Sequence, residues 1–80
     1  MNVFEELNII TRSLSIGYIS HKTVVEEHLG QLLAKCEKLY NDYTCLNRQS
    51  VLAIHVLNQL KFSYEAFEIE LEAAYFRETE

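Results

Sequence analysis

An all-α fold follows from three features of the chain. Its apolar residues recur at helical spacing in three separate segments, it contains no proline, and a single dense turn signal separates the two longest segments. Apolar side chains at intervals of three and four residues define one face of a helix, and no alternating pattern long enough for a strand competes with them. The expected architecture is a short N-terminal helix followed by a long antiparallel helical hairpin. It forms one domain over residues 1–80, with dimerisation into a larger bundle open to it. A domain of this size has a marginal core, and a partner or second copy often supplies missing burial.

The first helix is expected over about Asn2 to Leu14. Val3, Leu7, Ile10 and Leu14 form its stripe, and Glu5 and Glu6 sit in the first turn, where the helix dipole favours acids. Gly17 is suited to a left-handed stop, and Ser20 opens the next unit. The second helix is expected over about Lys22 to Tyr43. Thr23 and Glu26 fit a capping box, with Ser20 as the competing start. Its core stripe is Val25, Leu29, Leu32, Cys36, Leu39 and Tyr43, widened by Leu33 and Tyr40. Gly30 costs about 1 kcal/mol relative to alanine inside a helix and would permit a close helix crossing beside Leu29.

Asn41 to Cys45 supplies the turn signal. Beyond it, a third helix of roughly 30 residues, about 45 Å long, is expected from Leu46 to Arg77. A short connection makes the two long helices antiparallel neighbours. Leu29, Leu32, Cys36 and Leu39 should then face Ala53, Leu57, Leu60 and Tyr64. The third helix carries two stripes. One runs Leu46, Ser50, Ala53, Leu57, Leu60, Tyr64, Phe67, Leu71, Ala74; the other runs Phe62, Ala66, Ile69, Ala73, Phe76. Their centres lie roughly 170° apart around the helix. From about Glu68 this helix is expected to project past the hairpin unless the first helix folds back. With about four stripe residues, the first helix cannot cover the whole second stripe. Phe62, Ala66, Ile69, Ala73 and Phe76, with Tyr75 beside Phe76, are therefore the candidate partner-binding residues; aromatic and branched side chains of this kind anchor interfaces.

Charge and chemistry narrow the function. The formal net charge is −5, and the segment from Phe62 to Glu80, with six acids and only Arg77 as a base, accounts for all of it. Nucleic-acid binding needs a Lys/Arg footprint, which is missing. The acidic end reads as a solvated face or as a docking surface for a basic partner. No apolar run approaches the ~18 residues of a membrane span. The start Met-Asn-Val-Phe-Glu-Glu lacks the features of a signal peptide, so a cytoplasmic site is expected. That setting favours Cys36 and Cys45 as free thiols.

No metal site, cofactor or small-molecule substrate is expected. His21 and His28 are seven positions apart, too far along a helix to share an ion easily, and Cys36 and Cys45 do not make a zinc pair. Gly17 and Gly30 cannot build a phosphate-cradling loop. A Cys36–His55 dyad would place its nucleophile on the hairpin seam, where a free cysteine behaves as a small apolar residue. The chain reads as a non-enzymatic partner-binding protein.

With a short first helix, a long hairpin, about 80 residues and an acidic chain without enzymatic motifs, the layout resembles the small co-chaperones of type III secretion needle subunits. The likeness covers the whole chain in length and helix order and is carried by architecture. It implies a chaperone or adaptor that pairs with a larger helical-repeat partner and keeps the needle protein unpolymerised in the bacterial cytoplasm. Two alternatives use the same bifacial helix: a phage- or plasmid-encoded regulator that inhibits a host protein, and a self-assembling homodimeric adaptor. Whatever the partner, the seam makes a direct prediction. Truncating Leu32 or Leu60 to alanine should lower unfolding free energy by about 2–5 kcal/mol in a urea titration; losses under about 0.5 kcal/mol at both would mean that the seam lies elsewhere.

Overall fold

A computed structural model of the chain describes residues 1–45 and 50–79. All regular structure among these residues is helical: α1 (Val3–Ser15), α2 (His21–Thr23), a π-helical turn (Val24–His28), α3 (Leu29–Thr44) and α4 (Val51–Thr79). α2, the π turn and α3 follow one another without a break, so they form one arm over residues 21–44. This arm runs antiparallel to α4. α1 folds back alongside them, parallel to α4, in a rod 46 Å long and about 19 Å across.

Each helix start has a local cause. The Asn2 side chain accepts a hydrogen bond from the Glu5 backbone N–H at 2.9 Å, which satisfies one of the donors that a helix start leaves unpaired. Ser20 does the same for the Thr23 N–H at 3.1 Å. The cap of the second arm is thus Ser20, not the Thr23–Glu26 box. At α4, Ser50 is a cap as well as a stripe residue: its hydroxyl accepts from the Ala53 N–H at 3.4 Å. The expected start of that helix at Leu46 lies outside the described residues.

α1 ends in a Schellman motif. Gly17 has φ +74°, the Gly17 N–H donates to the Leu14 carbonyl, and the Tyr18 N–H donates to the Ser13 carbonyl at 2.8 Å. Only glycine takes that backbone conformation without strain. The turn expected at Asn41 to Cys45 is helical over most of that segment. α3 continues through Asn41, Asp42 and Tyr43 to Thr44, whose hydroxyl donates back to the Tyr40 carbonyl at 2.8 Å.

The core has one row of α4 at its centre. Ala53, Leu60, Phe67 and Ala74 are buried at seven-residue intervals, and Leu7, Leu14, Val24, Leu32 and Cys36 are buried as well. Leu29, Leu39, Tyr64 and Leu71 close the edges, as do Val3, Phe4 and Ile10 from α1. Val25 does not belong to the seam. It is 41% exposed, and Val24 is fully buried in its place. The π turn explains the exchange. Val24 and Leu32 are eight positions apart, one more than two regular turns that keep both inward, and the wide turn takes up the extra residue.

The end of α4 does not project bare. The second arm begins far enough back that the His21 N–H donates to Glu78 Oε2 at 2.9 Å. Arg77 Nη2 donates to the Leu14 carbonyl at 2.9 Å. Two successive residues of α4 therefore tie down the end of α1 and the start of α2: Glu78 satisfies an orphan N–H at the helix start, and Arg77 adds a second donor to a carbonyl that Gly17 already engages. Gly30, in contrast, meets nothing: a Cβ there would have open space, so no close helix crossing depends on it. The two glycines should respond in opposite senses to alanine. Gly17→Ala should destabilise the fold by about 1 kcal/mol because φ must stay positive, whereas Gly30→Ala should stabilise it by about 0.4–1 kcal/mol. Thermal or urea unfolding of the two variants checks both signs.

Candidate interaction surface

α4 is apolar on opposite sides, and the other helices cover only one of them. α1 and the second arm both pack on the Leu60–Phe67–Ala74 side. α1 folds back over the end of α4, but onto this first stripe and not onto the second. Phe62, Ile69 and Phe76 are 69%, 65% and 55% exposed. Ala66 between them is exposed and Ala73 half-buried, so the second stripe is a shallow apolar strip with low points at the alanines. Val51, 81% exposed, lies on the same side at the start of the helix.

Tyr75 is placed differently from its neighbours. Its ring lies 5.1 Å from the His21 imidazole and 5.6 Å from the Phe76 ring, centroid to centroid. It bridges the outer strip and the start of the second arm, which holds it partly in place. The structure therefore keeps Phe62, Ala66, Ile69, Ala73 and Phe76 together along one side of α4, with Tyr75 at the edge. Soluble proteins seldom leave contiguous apolar surface of this kind without a use for it.

Spacing alone misplaced a second set of residues. Leu33 and Tyr40 widen the α3 stripe and look like core, yet they are 41% and 54% exposed. With Leu57 and Tyr64 they line the side of the hairpin away from α1. The breadth of the stripe was the available signal: α3 has more apolar surface than one neighbour can cover.

Two titratable groups at the core are shifted toward their neutral forms. Burial pushes the Cys36 thiol up, and the Glu6 charge adds to the effect. The Tyr64 hydroxyl is also pushed up, by burial first and then by the charge of Glu68. Cys36 and Cys45 are both free, the first buried and the second exposed. Among the described residues no three His, Cys, Asp or Glu side chains gather closely enough to hold a metal ion, and no helix is long and apolar enough to cross a membrane. The chain matches no protein-family model, no curated protein and no solved structure.

The two faces of α4 should separate cleanly in stability measurements. Phe67→Ala, which empties a fully buried site, should cost about 3–5 kcal/mol. Ile69→Ser, two residues away on the exposed strip, should change monomer stability by no more than about 0.5 kcal/mol. Urea titrations at low protein concentration read both values.

Proposed function

We propose that this chain is a non-enzymatic protein-binding module that engages helical partners through the outer strip of α4. The observation that supports this reading is the exposure of Phe62, Ile69 and Phe76 along one helix whose opposite row, Leu60, Phe67 and Ala74, is buried in the core. Ala66 and Ala73 let a facing helix approach closely between the larger side chains. Glu65, Glu68 and Glu72, all exposed, border the strip and favour a partner with basic residues at matching positions. In its most specific form, which follows the architectural resemblance, the module is a small cytoplasmic chaperone or adaptor of a type III secretion system. Such a protein would hold an assembly-prone helical subunit together with a larger helical-repeat partner.

A homodimer is the second reading. It is favoured by the seven-residue spacing of Phe62, Ile69 and Phe76, the repeat with which two helices pack along a common seam. The same double variant tests the surface for either partner. Ile69→Ser with Phe76→Ser should abolish association while the circular dichroism spectrum keeps its helical amplitude. Sedimentation velocity reads self-association, and co-purification with a co-expressed needle-type subunit reads the chaperone function. A double variant that melts the monomer, or one that associates as before, would overturn the assignment of this surface.

A further inference from the structure

The hairpin of the second arm and α4 has two long grooves, and one of them already holds a helix. α1 fills the first, with Leu7 and Leu14 completely buried. Its charge is matched there: Glu6 meets Lys35 at 2.7 Å, and Lys38 continues the same edge. The second groove is open. Leu33, Cys36, Tyr40, Leu57, Leu60 and Tyr64 line a cavity of about 680 Å³. Leu33 and Tyr64 also line the adjoining hollow of about 360 Å³, which carries the trough on to Leu71 and Tyr75. No residue of α1 borders either hollow.

The rims of the two grooves differ in sign. Where α1 lies, α3 offers Lys35 to Glu6, with Lys38 beside it paired to Asp42 of its own helix. Along the open groove the charged residues are Glu37, Glu68 and Glu72 against a single lysine, Lys61. An acidic helix like α1 would meet like charge there. A second copy of this chain, with a formal charge of −5, would do so as a whole molecule.

We propose that the open groove seats a fourth helix, supplied by a partner: an amphipathic α-helix with one apolar ridge flanked by Lys or Arg. The ridge would fill the trough over Leu33, Leu57 and Tyr64, and the flanking bases would pair with Glu37, Glu68 and Glu72. The groove shares Glu68, Glu72 and Tyr75 with the border of the outer strip, but its floor of Leu33, Leu57, Leu60 and Tyr64 is distinct from Phe62, Ile69 and Phe76.

The test uses the full chain and a fluorescent leucine–lysine peptide of about five helical turns, beside the same peptide with glutamate for lysine. The lysine peptide should bind, with an affinity that falls as salt rises. The glutamate peptide should bind at least about tenfold more weakly. Leu33→Lys should abolish binding of the lysine peptide, and Glu68→Lys with Glu72→Lys should reverse the preference between the two. Ile69→Ser with Phe76→Ser should leave binding unchanged, which distinguishes this groove from the outer strip. Circular dichroism checks that each variant is folded, and Tyr40→Ser replaces Leu33→Lys if the latter is not. Failure of the lysine peptide to bind, equal binding of both peptides, or binding that survives the groove variants would overturn the proposal. So would binding lost in the outer-strip variant, or a wild-type dimer that Leu33→Lys converts to monomer.

Discussion

The structure depends on one row of four side chains. Ala53, Leu60, Phe67 and Ala74 recur every seven residues along α4, and two helices pack at once against the last three. Phe67 is the largest of them and completely buried, with Leu7, Leu14, Val24 and Leu32 also in the core. Burying a leucine or phenylalanine contributes roughly 1.5–3 kcal/mol, and a domain of this size has few other sources of stability. No disulfide joins the two free cysteines. Of the ion pairs, Lys35–Glu6 and Lys38–Asp42 lie at the surface, where each is worth about 0–1 kcal/mol. Apolar packing along one face of α4 therefore holds the molecule together.

The same arrangement leaves two apolar surfaces uncovered. A row that binds two neighbours on one side of α4 leaves the opposite side, with Phe62, Ile69 and Phe76, facing solvent. The hairpin in turn has two grooves and only one short helix to fill them. Both surfaces are continuous along the rod and carried on rigid helices, so a partner helix could dock without reordering the backbone. That limits the entropic cost of association.

Much of this was legible in the sequence, because helical spacing reports faces directly. The three helical segments, the antiparallel hairpin, the burial of Leu32, Cys36, Leu60 and Phe67, and the left-handed Gly17 all follow from residue types at known intervals. What spacing could not report was register. Val25 continues the stripe by count, but the π turn moves Val24 inward, and no residue at Val24–His28 marks that turn in advance. Nor could local pattern assign α1 to one stripe of α4 instead of the other. That choice rests on contacts between distant segments, such as Arg77 with Leu14 and His21 with Glu78. Composition also misled at Asn41 to Tyr43, where turn-forming residues sit within an intact helix end that local contacts such as Lys38–Asp42 and Thr44 with the Tyr40 carbonyl accompany.

The corner between α1 and α2 has a consequence for how the chain assembles. Its two hydrogen bonds to α4 join residues 63 and 57 positions apart in sequence. The second arm and α4, in contrast, need only a short connection to meet. Closing a long loop costs more chain entropy and delays the contacts that depend on it. Loop entropy alone thus favours a hairpin that forms before α1 docks. Until it docks, the hairpin presents two empty grooves instead of one. In that arrangement the groove that α1 fills would be open to another amphipathic helix, including α1 of a sister molecule. Of the two bonds at this corner, His21–Glu78 lies within the hairpin itself, whereas Arg77–Leu14 needs α1 in its groove, so that single contact at the far end of α4 ties the resident helix to its own berth.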